Sequence, residues 1–366
     1  MSTLSPIGDL SAEIVTRPSL RELASGVDAL YLSGWATLPD DFMERLERAK
    51  GRALDAGEAV GFRLGGVEFG LTPHGWGRYP YRLSHQYGMI GFARSQALPA
   101  VRVQPRAELL AGLGPGGVVD TFADVLQSVT DVDFSVARVD LYADFQDWQL
   151  RAEDRRRFVS RATSRNTFEE SDDLTGVQWG RRSGGGLVAR IYEKSGQARK
   201  TGSEWWFDRW GGAYTPGEPV YRVEFEFGRK VLRECQVDTP ANLFENVAGL
   251  WGYATTKWLS YRTPSADETK SRWPVAPEWK SVQSASLRDR PVTVERTIGS
   301  KRAASKQRIV SGMCGYLSSF AALRNVSTID EAWCLADPVL REWELETGIP
   351  FAARVVKKRR HWEWGL

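Results

Sequence analysis

The sequence predicts an α+β protein: two pseudo-symmetric antiparallel β-sheets with packed helices, followed by a helical C-terminal region. Three observations carry that expectation. From about residue 26 to 236 the chain is rich in short segments of alternating apolar and polar residues, bounded by Gly, Pro and His. Two sets of these segments run in a similar order (strand, helix, hairpin, closing Arg-bearing strand), the mark of an internal duplication. Beyond Asp238 the alternation gives way to helical spacing.

In the first set, LYLSGWATL, VGFRLGGVEFGLT, YPYRLSHQYGMIGF and AVRVQPRAEL read as strands, while DDFMERLERAKGRAL and VVDTFADVLQSVT space their apolar residues as helices do. VARVDLYADF, GVQWGRRS, LVARIYEKS and PVYRVEFEFG form the second set. Three helices follow, TPANLFENVAGLWGYATTKWLSYR, KRAASKQRIVSGMCGYLSSFAALRN and STIDEAWCLADPVLREWELETG; Ser327 to Asp330 gives the last a cap followed by an acidic first turn. The Pro-, Ser- and charge-rich RTPSADETKSRWPVAPEWKS reads as a linker. The expected division is a flexible leader over 1–25, a catalytic core over 26–236, and a helical region over 237–366 that binds DNA or oligomerises.

Composition excludes several classes. With 42% hydrophobic and 26% charged residues, the chain can bury a core and is not disordered in bulk. A net charge of +3 does not by itself identify a nucleic-acid partner. The stretch 288–308 and the tail 357–360 are locally cationic, however, and such patches attract a phosphate backbone. Three scattered cysteines without CxxC spacing exclude a disulfide framework and a thiolate zinc site. His74, His85 and His361 build no HxH or HExxH pattern, so a metal would be held by carboxylates, which favours Mg²⁺ or Mn²⁺. No run of 18 apolar residues and no secretory N-terminus is present, so a cytoplasmic protein without a membrane partner is expected.

Alternate side chains of a strand point to opposite faces. In Arg138–Phe145 one face carries Val139, Leu141, Ala143 and Phe145, and the other Arg138, Asp140, Tyr142 and Asp144. In Arg222–Phe227 the polar face carries Arg222, Glu224 and Glu226; Arg190, Tyr192 and Lys194 share a face of the segment before it. Paired in one sheet, these strands gather the equipment of phosphoryl transfer. Carboxylates hold a divalent ion, arginines clamp phosphate, and a tyrosine attacks phosphorus and conserves the bond as a phosphotyrosine. A sheet with one wet face shows the same alternation, and on periodicity alone that is the commoner origin.

The segments Arg138-Val-Asp-Leu-Tyr-Ala-Asp144, Gly180-Arg-Arg-Ser183, Arg190-Ile-Tyr-Glu-Lys194 and Arg222-Val-Glu-Phe-Glu-Phe227 resemble, in order and spacing, the motifs of the replication initiation factor (Rep_trans) family. That family comprises rolling-circle plasmid and phage replication initiators and related relaxases. The resemblance covers roughly 26–236. It implies that Tyr192 is the nucleophile, giving a 5′-phosphotyrosine and a free 3′-OH primer at an origin. Asp140 and Glu224 would be metal ligands, completed by Asp144 or Glu226. Lys194, Arg190 and Arg222 would be phosphate or structural contacts, with Arg138, Arg181 and Arg182 also facing DNA. The partners implied are origin DNA, single-stranded or cruciform at the nick, and a second copy of the chain. Two departures stand out: Gly-Arg-Arg-Ser replaces Gly-Ser-Arg-x-Ser, and Tyr142 is a second tyrosine on the active face, able to assist or replace Tyr192.

Tyr79, Tyr81 and Tyr87 lie near His74 and His85, where a degenerate copy of the active side would fall, although packing is their commoner role. Trp76, Trp205, Trp206 and Trp210 could stack on unpaired bases, with packing again the commoner role. The Gly-rich Ser183–Gly186 lacks the following Lys-Ser or Lys-Thr of a P-loop, so strand separation would need a separate helicase. Two classes of function therefore compete. One is a nicking enzyme, with an initiator favoured over a relaxase for want of a large extra domain. The other is a sequence-specific DNA-binding protein without activity. A tyrosine recombinase is disfavoured, because no histidine stands near an arginine pair in the spacing it needs.

Overall fold

The apolar row of each central strand must find a core, and in the computed structural model it does: Val139, Leu141, Ala143 and Phe145 are completely buried in one continuous cluster. The structure describes residues 20–95, 97–148, 150–170, 173–182, 185–288, 294–296 and 306–356.

β1 (Arg21–Trp35) leads into α1 (Asp40–Ala56), whose buried Phe42, Leu46, Ala49 and Ala53 recur at helical spacing. The hairpin β2 (Val60–Leu64) and β3 (Val67–Leu71) turns on Gly65 and Gly66, with φ of 55° and 79°, the paired left-handed conformation of a tight hairpin. β4 (Tyr81–His85), β5 (Gly88–Phe92) and β6 (Val101–Pro105) follow. Gly114 and Pro115 break α2 (Ala107–Gln127), which is long and apolar enough to cross a membrane by length and composition. Here its Leu110, Val118, Phe122 and Leu126 pack into the core.

The second half repeats the plan. β7 (Asp133–Gln146) is followed by β8 (Phe158–Ser160), β9 (Arg165–Glu170), β10 (Asp173–Trp179) and β11 (Leu187–Glu193). Then come α3 (Lys194–Thr201), α4 (Trp205–Trp210), β12 (Tyr221–Gly228), α5 (Arg229–Glu234) and α6 (Pro240–Tyr253). β13 (Leu259–Tyr261) pairs with β8 in a small separate sheet, and α7 (Pro277–Gln283) closes the unit.

The two expected sheets are the halves of one continuous antiparallel sheet, ordered β2-β3-β4-β5-β6-β1-β7-β12-β11-β10-β9. In each half the first strand lies at the centre, the last strand lies beside it, and the rest run outward in reverse. β1 and β7 weld the halves along their length, from Arg21 opposite Gln146 to Trp35 opposite Asp133.

The unit is larger than the expected core at both ends. β1 includes residues 21–25 of the expected leader, and Leu20 is buried with its N–H donating to Ser281 Oγ at 3.1 Å. The first compact unit runs to Arg296 rather than closing at 236. Leu243, Leu250 and Trp251 of α6 enter the core, where Trp251 meets Phe225 edge-on at 5.3 Å between centroids. The expected linker is also anchored: Trp279 is completely buried and donates from Nε1 to the Thr255 carbonyl at 2.8 Å. Its backbone is tied in as well, with the Ala276 N–H donating to the Tyr261 carbonyl at 3.0 Å, and its last residues open α7. Trp251→Ala should therefore cost about 3–5 kcal/mol in urea unfolding, and a chain cut after 236 should fail to fold.

The second unit, Thr297–Leu366, carries α8 (Lys306–Arg324) and α9 (Ile329–Thr347). The cap of α9 is Thr328, closed by Glu331, one residue beyond the expected Ser327–Asp330 pair. Most of the basic stretch 288–308 and all of 357–360 lie outside the described residues.

Candidate active site

Pairing of β7, β12 and β11 sets the side chains of the polar face in three cross-strand rows. Asp144, Arg222 and Tyr192 form the first, Tyr142, Glu224 and Arg190 the second, and Asp140, Glu226 and Val188 the third. The expected residues of these three strands thus come together.

The first row is buried at one end. Arg222 is completely enclosed and grips Asp144 through Nε at 2.7 Å and Nη2 at 2.8 Å, while Nη1 reaches Asp28 at 2.6 Å. Tyr142 and Trp206 lie against its guanidinium at 4.0 Å each. Trp210 Nε1 donates to Asp144 Oδ2 at 2.9 Å. Both Asp144 oxygens are committed, so it does not fit the expected role of metal ligand. Arg222 has no open N–H edge and does not fit that of a phosphate contact; charge burial on this scale demands such partners.

The carboxylates of the second and third rows form a buried, closed network around Arg190. Its Nη2 bonds Glu224 Oε1 and lies 3.5 Å from Asp140 Oδ2 and 3.7 Å from Glu226 Oε2. Arg138 holds Asp140 through Nε at 2.7 Å and contacts Glu226 at 3.0 Å, and Arg182 adds an ion pair to Glu226 at 3.3 Å. The Tyr192 hydroxyl donates to the free Glu224 oxygen, Oε2, at 3.0 Å. Gly176 lies opposite Tyr192 on β10, where an added Cβ would stand 3.0 Å from that of Tyr192, so a larger residue would crowd the tyrosine.

Burial, and then the Glu224 carboxylate, push the Tyr192 hydroxyl well above its usual pKa. Burial also raises Glu224 to about 7, with Asp28 adding to it and Arg190 opposing. Asp140 and Glu226 are raised by burial against the pull of Arg138. Burial works against the charge of Arg190, but Glu224 and Asp140 more than offset it.

Lys194 opens α3 rather than ending the strand, and its Nζ stands 5.9 Å from the Tyr192 ring centroid and 4.9 Å from that of Trp206. It bonds Gln197 Oε1 at 2.8 Å. Burial, then Arg222, lower its pKa to about 8. A base with a depressed folded pKa costs stability while both states are charged, and that cost fades as pH rises from about 8 toward the unfolded value. Lys194→Met should therefore raise stability at neutral pH by about 1–3 kcal/mol, and it should remove the gain the wild type shows between pH 8 and 10.5. Thermal unfolding across that range measures both.

Tyr142 is 2% exposed, edge-on to Trp206, with its hydroxyl taking a hydrogen bond from Arg209 Nε at 3.2 Å. Trp206 and Trp210 are buried in the same cluster. Tyr79 and Tyr81 are buried and Tyr87 packs against the core. Arg181 is exposed, and Ser183 lies outside the described residues. Sequence reasoning missed Asp28, because β1 is bulged between Val27 and Ala29 and a strict two-residue period loses the residue between them.

Among the described residues no group of three His, Cys, Asp or Glu side chains stands arranged to hold a metal ion. Asp140, Glu224 and Glu226 carry the oxygen donors a hard divalent ion takes, but here each is paired with arginine, Glu226 Oε2 with Arg138 at 3.0 Å and Arg182 at 3.3 Å. In this arrangement the Arg190 guanidinium stands at the centre of the three.

No family model matches the chain, and no curated protein does. Among solved structures, the chain is similar to the rolling circle replication initiator protein from Geobacillus stearothermophilus. The identity is 14% and the TM-score 0.41, with 75% of this chain and 99% of that one covered.

Proposed function

We propose that this protein nicks and rejoins one DNA strand, as a rolling-circle replication initiator does, with Tyr192 as nucleophile. The observation that carries the reading is the hydrogen bond from the Tyr192 hydroxyl to Glu224 Oε2 at 3.0 Å, beside an arginine that binds the same carboxylate. A phenol held above its usual pKa needs a base within reach, and Glu224 is the acceptor in place. Tyr192 Oη bonds to phosphorus as the bond from phosphorus to the 3′ oxygen breaks. The phenolic proton passes to Glu224, and the 3′ oxygen leaves as a hydroxyl after taking a proton from water. The product is a 5′-phosphotyrosine, from which the 3′-OH can reverse the step. Arg190 and Arg138 supply positive charge at the phosphoryl group, and Lys194 supplies it behind the phenol ring.

Mg²⁺ or Mn²⁺, where it serves the reaction, would be held by Asp140, Glu224 and Glu226 and would add charge at the transferring phosphoryl group. Origin DNA is the proposed partner, with a separate helicase to open it and a second copy of the chain on the site. A relaxase of a mobile element would use the same chemistry.

The closed carboxylate–arginine network favours a second reading, a DNA-binding protein without nicking activity. The test is a nicking assay on supercoiled plasmid carrying this gene and its flanks, with Mg²⁺ or Mn²⁺, for wild type, Tyr192→Phe and Tyr142→Phe. Open circles with wild type and Tyr142→Phe, but not Tyr192→Phe, are expected. Tight metal-independent binding without open circles would select the second reading.

A further inference from the structure

The duplicated half holds a counterpart of the candidate site, and the strand registers show what became of it. In the second half Arg222 of β12 faces Tyr192 on one side and Asp144 on the other. In the first half the equivalent strand β6 places Arg102 between Gly91 of β5 and Ser33 of β1. Two residues on, Glu224 facing Arg190 becomes Gln104 facing Met89. The copy has lost its nucleophile and both carboxylates and has kept its arginine.

That loss changes what the arginine can do. Arg222 is closed in by Asp144 and Asp28, whereas Arg102 has no carboxylate at ion-pair distance among the described residues. Its guanidinium lies on the Trp76 ring at 3.9 Å from the centroid and 5.7 Å from that of Tyr31. A guanidinium stacked on an aromatic keeps its N–H edge open to an in-plane acceptor. Burial lowers the pKa of Arg102, the sign of a cation short of an anion.

Arg102 opens on a cavity of about 380 Å³ at the junction of the halves, lined also by Arg78, Arg138, Arg182, Arg229 and Glu226. Glu226 occupies Arg138 and Arg182, and Arg229 donates to Ser33 Oγ at 2.6 Å. Arg78, Arg102 and Arg229 therefore meet no carboxylate at ion-pair distance among the described residues. Arg138 and Glu226 belong both to this cavity and to the cluster around Arg190, so the cavity borders the candidate active site.

We infer that this cavity is a second phosphate site, taking a backbone phosphodiester of the same single strand that Tyr192 would cut, one or more nucleotides from the nick. The inference rests on the proposed function for its choice of ligand, but its test needs no chemistry. Arg78, Arg102 and Arg229 would hold the phosphate through charge-assisted N–H donors. The catalytic half then cuts a strand that its degenerate copy holds in place.

The test is fluorescence anisotropy of a labelled single-stranded oligonucleotide from the gene's flanks, titrated at several salt concentrations, all in Tyr192→Phe protein. Arg78 is exposed, so Arg78→Ala keeps the fold whatever becomes of Arg102→Gln. Each variant should flatten the slope of log affinity against log salt by about 0.7, and the pair should weaken binding roughly tenfold at fixed salt. Arg94→Ala, exposed and paired with Asp40 on another surface, should change neither. Inorganic phosphate and a mononucleotide are run as competitors and should displace the oligonucleotide only at high concentration. Unchanged slope and affinity in Arg78→Ala and in the double variant would overturn the inference even if wild type nicks DNA. Equal competition by inorganic phosphate would overturn the polynucleotide as its occupant. A flattened slope in a protein that never nicks would leave the cavity standing and remove only the reading of Tyr192.

Discussion

On the proposed function, Tyr192→Phe is expected to abolish strand nicking and covalent attachment, with a rate loss of at least about 10³-fold, and to keep the fold and the binding of DNA. The variant removes one oxygen, and the ring stays between Gly176 and Arg222 on its neighbouring strands. What it loses is the hydrogen bond to Glu224 and the oxygen proposed to attack phosphorus. Tyr142→Phe is the contrasting case. It loses only an acceptor for Arg209 in a buried cluster, a cost of about 1 kcal/mol, and its nicking rate stays within a few-fold of wild type. Single-turnover cleavage of a labelled oligonucleotide measures both rates. Equal rates for Tyr192→Phe and wild type would remove the tyrosine from the mechanism.

The largest loss of stability falls on Arg222→Leu, at about 3–5 kcal/mol. The guanidinium is completely buried, holds Asp144 with two N–H groups and Asp28 with a third, and fills the space between Tyr142 and Trp206. Removing it leaves the Asp144 carboxylate buried with only the Trp210 N–H for company. Arg222→Leu combined with Asp144→Leu should recover much of the loss, because the fully buried carboxylate goes with its partner and only the partly exposed Asp28 is left unpaired. Urea unfolding of the two single variants and the double variant gives the coupling directly. A cost below about 1 kcal/mol for Arg222→Leu would mean that the pair is not the buried anchor described here.

Alternation made the polar face legible, because a period of two is read directly from Arg138–Phe145 and Arg222–Phe227 and the registers bring those rows together. It could not separate Asp144 from Asp140 on the same row of β7. What divides them is whether Arg222 or Glu226 lies across the sheet, and whether α4 covers the position with Trp210. Asp28 was hidden by a bulge, and the reach of the first unit to Arg296 by the Pro- and Ser-rich segment that Trp279 pins down. The repeated strand order was visible as an order of segments. Its consequence, an arginine without its acid, needed the pairing of Arg102 with Ser33.

Trapping the covalent intermediate tests the role of Tyr192 without reliance on any variant. Wild-type protein is incubated with a 5′-proximal nick substrate and Mg²⁺ or Mn²⁺, denatured and digested, and the peptide carrying the nucleotide is sequenced by mass spectrometry. One adduct is expected, a phosphodiester on Tyr192 joined to the 5′ end of the cleaved strand. An adduct on Tyr142 or another residue, or cleavage with no adduct and a 5′ phosphate released into solution, would contradict it.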